Sequence, residues 1–549
     1  MREPIAMRIF ISIVVVAALA SSSASAADMV LKAPAAAGNC DPYANYRCLD
    51  AYLGDDFVTR LYRYYALEQG HDGPPTDPKA LPSRRSEAIW PATPESTPPM
   101  PFTEWPYGGT TTIGVTRPGS VDSPLMVALG NTQLGAALNA SHIQIYGWVE
   151  PGANISTNTV KPGGNMPAGY EYTPNTVQLD QAVVYIERLP DTVQNDHFDW
   201  GFRVSGIYGV DYRYTTAYGF FSNQLLNQNL VNGFDMPMMY VDLYFPVVQG
   251  LNVRIGRFVS IPDIEAQLAP NNYTYTHSLT YIYDNFTNTG ILGTLAVTRN
   301  WMVQLGIVAS TDTVPWNIGA RIPNPDPNPL YPGTTMLKDP GAQPSATVGL
   351  RWTSDSGHDA LYLVANSINS GIWGYDNLNW LGGTYYHKFN DQWHIAFETW
   401  NIHEYGVPNL DNPTAATAIA NGGTPFSPQI MPFNAPNAAH CGNATALTCT
   451  ADEQSFLLYV NYSPNKLNNF TFRTEFLMDP EGQRTGVVTN YIDTALGWQH
   501  WFSPQVEVRP EIAYYRSLNA NAFNGNANAG IPPSRNWAVI AASDLIFHF

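Results

Sequence analysis

Alternation constrains this chain more than any other feature. From Ser141 to Phe549 the sequence returns repeatedly to stretches in which every second side chain is apolar and the rest carry charge or hydrogen-bonding groups. In Phe198–Ser205, one face holds Phe198, Trp200, Phe202 and Val204, and the other holds Asp199, Gly201, Arg203 and Ser205. Gln505–Ile512 sets Val506, Val508 and Ile512 against Gln505, Glu507, Arg509 and Glu511, and Phe470–Phe476 sets Phe470, Phe472 and Phe476 against Thr471, Arg473 and Glu475. Successive strand residues point to opposite sides, so period two marks strands with one face toward an apolar medium and one toward water. A soluble half-buried sheet alternates too, which leaves a sandwich and a lipid-facing barrel open at this point.

Length and spacing separate the two. About sixteen stretches begin near Ile143, Val177, Phe198, Met238, Leu251, Thr289, Met302, Thr347, Asp359, Trp380, Trp393, Ser455, Asn469, Asn490, Gln505 and Trp537, and most run for roughly 9–11 residues, enough for a tilted strand to cross a bilayer. Short connections at 248–250, 298–300, 355–357, 390–391 and 463–466 take turns with long ones at 151–175, 214–237, 261–287, 311–344, 403–453 and 516–536. If both barrel ends face the periplasm, every long connection lies outside the cell, as outer-membrane barrels require, whereas a sandwich has no reason to keep that rhythm. In hydrocarbon an open sheet edge leaves backbone groups unpaired, so the sheet must close. The expected fold is all-β, a transmembrane antiparallel β-barrel of about 16 strands, roughly 14 to 18, over 141–549. Trp148, Tyr208, Tyr212, Tyr240, Tyr244, Trp352, Tyr385, Trp393, Trp498, Trp501, Tyr514 and Trp537 lie near strand ends and suit interfacial girdles. Leu545, Phe547 and Phe549 end the chain in alternation, a terminus that resembles the signal read by the barrel-assembly machinery.

The start of the chain has another texture. Arg2 and Arg8, the apolar run Ile9–Ala20 and the small-residue site Ala24-Ser25-Ala26 make residues 1–26 a secretory signal peptide. Elsewhere no apolar run approaches the ~18 residues of a membrane helix. Losing two Arg and one Glu with the leader takes the formal charge from −18 to −19, which opposes a general grip on nucleic acid. Residues 27–140 are expected to form a helical and Pro-rich segment, periplasmic or plug-like. Its helix is carried by Leu49, Tyr52, Leu53, Phe57, Leu61, Tyr64 and Tyr65, and prolines recur between Pro74 and Pro106. Export to an oxidising compartment makes Cys40/Cys48 and Cys441/Cys449 two candidate local disulfides. His440 beside Cys441 lacks the further ligands of a metal finger.

No phosphate loop, zinc helix or nucleophile elbow occurs in the sequence. His394, Glu398 and His403 share one stretch, but read more simply as a wet lumen lining. No enzyme, cofactor or metal is expected. What remains is a pore whose selectivity follows diameter and lining charge. Arg203, Arg213, Arg254, Arg351, Arg473, Glu475, Glu507, Arg509 and Glu511 fall on the polar face. The third long connection carries Asp263, Glu265 and Asp284, an acidic constriction if it folds inward, with Arg203, Arg213 and Arg254 on preceding strands as the opposed basic wall. A solvated external loop is the alternative.

Several stretches resemble the putative beta-barrel porin-2 family of bacterial outer-membrane proteins, OmpL-like. They are Gln144-Ile145-Tyr146-Gly147-Trp148-Val149-Glu150-Pro151-Gly152, Gln178-Leu179-Asp180-Gln181, Asp199-Trp200-Gly201-Phe202-Arg203, Gly209-Val210-Asp211-Tyr212-Arg213-Tyr214-Thr215, Ile255-Gly256-Arg257-Phe258, Ala269-Pro270-Asn271-Asn272 and His277-Ser278. The resemblance implies an outer-membrane porin of unspecified substrate and carries no catalytic residues. The partners expected are outer-membrane lipid, the assembly machinery, small solutes or ions and, by analogy with general porins, two further copies in a homotrimer. The competing function is an anchor or surface scaffold exposing 403–453.

Overall fold

Each of the sixteen alternating stretches forms a strand of one antiparallel sheet. This computed structural model describes residues 50, 52–69, 123–226, 228, 230–259, 263–317, 320–323, 336–339, 342–370, 378–420, 438–465, 467–503, 505–526 and 529–549. The leader, Cys40, Cys48 and the Pro-rich tract lie outside them. The wall strands are β1 Gln144–Ser156, β2 Thr176–Arg188, β3 Asp199–Gly209, β4 Gly233–Asp235 continued by Met239–Phe245, β5 Leu251–Val259, β6 Thr287–Ala296, β7 Trp301–Ala309 and β8 Pro344–Thr353. They continue as β9 Asp359–Ile368, β10 Asn379–Lys388, β11 Trp393–Pro408, β12 Thr448–Asn465, β13 Asn468–Asp479, β14 Thr489–Ser503, β15 Val506–Val508 continued by Glu511–Ser517, and β16 Trp537–His548. Both halves of β4 pair with β3, and both halves of β15 pair with β14 and β16, so the eighteen paired segments make sixteen wall strands. β1 pairs with β2 and also with β16, Trp148 standing opposite both Val183 and His548, and the cylinder is closed.

Both ends of the barrel lie at the short-turn rim. The opposite rim carries eight loops, L1 157–175, L2 210–232, L3 260–286, L4 310–343, L5 369–378, L6 409–447, L7 480–488 and L8 518–536. L6 is shorter than the expected 403–453. β11 and β12 stay paired up to Pro408 and Thr448, and along this upper stretch the outward positions include His403 and Asp452, bonded at 2.7 Å. With polar groups on both faces the alternation fades although the backbone ladder continues. The Cys441–Cys449 disulfide ties L6 to the start of β12.

The faces sort as alternation requires. Phe198, Trp200, Phe470 and Phe472 are exposed on the outside, whereas Arg203, Ser205, Arg473 and Glu475 are buried inside. Outward aromatics gather at the short-turn rim as Phe198–Phe245, Trp301–Trp352, Trp393–Tyr462 and Phe470–Trp498 pairs, with centroids 4.6 to 6.4 Å apart. Five residues expected in girdles, Trp148, Tyr212, Tyr240, Tyr244 and Trp501, are instead buried. For the strand residues, proximity to an end does not determine which way a ring points; parity along the strand does. Leu363 projects from the outer face of β9 at 48% exposure. Leu363→Arg is expected to lower barrel stability by about 2–4 kcal/mol, measured by denaturant titration in lipid vesicles, because the guanidinium enters hydrocarbon.

Before β1 come α1 Phe57–Gln69, α2 Pro124–Leu129 and α3 Gln133–Ala140. The helix foreseen from Leu49 is interrupted at Gly54, whose φ of 85° is left-handed, and resumes where Asp56 Oδ1 accepts from Thr59 N. Arg60 joins α1 to α2 by donating to the Val127 carbonyl at 2.9 Å. Tyr65 donates to the carbonyl of His548 and stacks on Phe547 at 4.9 Å, fixing α1 against the end of β16 at the short-turn rim.

Candidate functional site

L3 leaves the wall between β5 and β6 and crosses to strands on the far side of the barrel. Its described part, 263–286, is buried except for half-buried Ala266. Ile264 N donates to Glu398 on β11, and Tyr273 hydroxyl meets His394 on the same strand at 3.2 Å. Glu265 accepts from Tyr459 on β12, and Tyr275 donates to Asp180 on β2 at 2.8 Å. Gln181 on β2 donates to the Gln267 carbonyl, while Tyr170 of L1 donates to the Gln267 side chain, each at 2.8 Å.

Two wall arginines and one from L7 hold the loop's backbone. Arg509 Nη1 donates to the carbonyls of Ala269, Asn272 and Thr274, and its other nitrogens reach Asp544 and Glu150. Arg473 donates to the Thr276 carbonyl at 2.6 Å while pairing with Asp493 at 2.7 Å. Arg484, on L7, donates to the carbonyls of Tyr283 and Asp284 at 2.7 and 2.9 Å. From the wall, Glu475 accepts the backbone N–H groups of Leu279 and Thr280 at the short helix Leu279–Ile282. A loop buried away from secondary-structure ladders needs partners for its N–H and C=O groups, and these charged side chains supply them.

The expected opposition of L3 acids and three strand arginines does not form. Arg203 is paired with Glu187 at 2.7 Å, and Arg254 makes two 2.9 Å bonds to Asp242 with its guanidinium 3.8 Å from the Tyr240 ring centre. Arg213 is not on a strand. It lies on the short helix Tyr212–Thr215 of L2, donates to the Leu230 carbonyl and covers the Tyr172 ring. Tyr212-Arg213-Tyr214 alternates like a strand, but the chain turns after Gly209 and Tyr214 stacks on Tyr170 at 4.0 Å. Arg351 bonds Thr353 on its own strand β8 and Met302 on the neighbouring β7. Glu507 accepts from Gln499 at 2.7 Å, and Glu511 is buried on β15. His394 and Glu398 point inward while His403 points outward to Asp452, so the three do not meet.

The L3 acids gather elsewhere. Asp263 and Asp284, at the two ends of the loop, converge on Glu398. Burial, then the charges of Asp284 and Glu398, hold the Asp263 carboxyl well above the usual carboxylate range. Burial pushes Asp284 up to about 7 and raises Glu265. Sequence reasoning missed Arg484 and Asp493, whose roles depend on which strand lies across the lumen rather than on any local pattern.

Residues 142–549 match the family described as putative beta-barrel porin-2, OmpL-like. No curated protein matches the chain. Among solved structures it is similar to the anion-selective porin from Comamonas acidovorans, at 10% identity over 74% of this chain and 99% of that one, with a TM-score of 0.39. It is also similar to the outer-membrane channel DcaP of Acinetobacter baumannii, at 7% identity over 74% and 97% with a TM-score of 0.40. OmpT of Vibrio cholerae in its trimer form gives 9% identity over 74% and 99%, with a TM-score of 0.40. Since the family match takes in all sixteen wall strands and L3, the chain belongs to the putative beta-barrel porin-2, OmpL-like family of bacterial outer-membrane channels.

Proposed function

We propose that small hydrophilic solutes or ions diffuse through the part of the lumen between L3 and the wall strands β3 to β9. The path of L3 carries this reading, because a loop crossing to the far wall divides a polar interior and leaves its narrowest passage on the side the loop does not touch. On that side Arg203 and Arg254 are neutralised by Glu187 and Asp242. Arg351 has no carboxylate partner among the described residues and is the cation that sets the local field. The L3 acids turn instead to β11 and β12 and shape the loop. The α1–α2 pair forms a periplasmic rim piece rather than a plug, and the homotrimer expected by analogy with general porins is checked by the mass of the detergent-solubilised protein. We read the chain as a channel and not a catalyst.

Purified protein in liposomes is expected to admit small sugars in a swelling assay. In planar bilayers, Arg351→Glu is expected to shift the reversal potential toward cations under a salt gradient, because two charge units change at the passage wall. One observation favours the alternative of a surface scaffold: inward side chains such as Arg203, Asp242, Thr384 and Arg473 are all shielded from solvent. Protein that inserts but passes neither sugar nor salt would establish that reading instead.

A further inference from the structure

We propose that Asp263, Asp284 and Glu398 form a binding site for a divalent cation, Ca2+ by its chemistry, that clasps both ends of L3 to strand β11. The ligand oxygens of the three residues lie within 4.8 Å of one another, and all three side chains are buried. The two aspartates stand at opposite ends of one loop, so a shared ion closes that loop at its base. Glu398 comes independently from the wall. It is 1% exposed, its Oε2 is fixed by the Ile264 N–H at 2.9 Å, and its Oε1 meets no N–H or hydroxyl donor, only the neighbouring carboxyls. Asp263 Oδ1 and Asp284 Oδ2 likewise meet no N–H or hydroxyl donor, while Asp284 Oδ1 accepts from Asn285 N. Arg484 on L7 donates from Nε and Nη2 to the carbonyls of Tyr283 and Asp284, and its Nε lies 3.7 Å from Glu453.

Buried carboxylates require a counter-charge or protons, and three converging oxygens from separate backbone positions are what a hard cation demands. Ligand chemistry selects between the common ions: three carboxylates from separate backbone positions suit Ca2+, which accepts irregular coordination by about six to eight oxygens at about 2.4 Å, better than Mg2+, which demands near-octahedral order at about 2.1 Å. No sequence pattern announces such a site, because its ligands are scattered over two loop ends and a distant strand. The inference goes beyond the reading of solute diffusion and stands on the loop's position alone.

The test uses the full chain refolded in detergent free of lipopolysaccharide and stripped of metal with a chelator, with Tb3+ as the probe and tyrosine-sensitised luminescence as the signal. One saturable site is expected, displaced by Ca2+ at lower concentration than by Mg2+. Glu398→Gln and Asp284→Asn are each expected to weaken Tb3+ at least tenfold, while Glu404→Gln, another buried acid on β11, leaves it unchanged. Retention of the affinity in Glu398→Gln, or an equal loss in Glu404→Gln, overturns the site, as does the absence of saturable binding. If Glu398→Gln fails to give the folded band on unheated gels, the Ca2+ dependence of unfolding in the native chain decides instead. A bound ion raises the transition temperature, and an unchanged transition temperature overturns the proposal.

Discussion

Arg509→Met is expected to destabilise the barrel by about 3–5 kcal/mol, the range for breaking a buried ion pair from one side. The loss would appear as a lower temperature at which the folded gel band converts to the unfolded one. The size follows from what one guanidinium holds. Asp544 and Glu150 lose their cation, and three L3 carbonyls lose a charge-assisted donor, all in a region shielded from solvent. Arg509→Lys is expected to recover only part of the loss, because an ammonium cannot span two carboxylates and three carbonyls as a planar fork does. Adding Asp544→Asn to Arg509→Met should restore stability relative to the single variant by removing an orphaned charge. Equal stability of native protein and Arg509→Met would mean that water, not Arg509, satisfies these groups.

The wall was legible in the sequence because it depends on local alternation. Phe198–Ser205, Phe470–Phe476 and the terminal Leu545 and Phe547 each report their faces without knowledge of any neighbour, whereas Phe549, expected beside them, is buried next to Gly147; most strand starts follow from where alternation begins. Alternation failed where both faces are polar, which hid the upper ends of β11 and β12, and where a turn imitates a strand, as at Tyr212-Arg213-Tyr214. The site was only half legible. That Arg473, Glu475, Arg509 and Glu511 face inward follows from parity. That Arg473 and Arg509 hold L3, while Arg203 and Arg254 hold acids of their own sheet, depends on the curvature that brings the loop's arc to β13 and β15. Asp263, Asp284 and Glu398 converge for the same reason, through closure of the cylinder rather than through spacing.

Replacing residues 264–282 with a short Gly-Ser linker is expected to raise single-channel conductance severalfold and to admit larger sugars in the swelling assay. The removed arc carries the contacts to β2, β11, β12 and β13, and its loss opens the lumen across its width. Stability should fall less than in Arg509→Met, although many more hydrogen bonds disappear. With the loop gone, water enters and hydrates Arg473, Arg509 and Glu475, so no charge is left both buried and unpartnered. The single substitution keeps the loop, keeps water out and strands the acids. An excised variant less stable than Arg509→Met would mean that L3 props the wall mechanically. Unchanged conductance would place the narrowest passage elsewhere, at L1, L2 or L4.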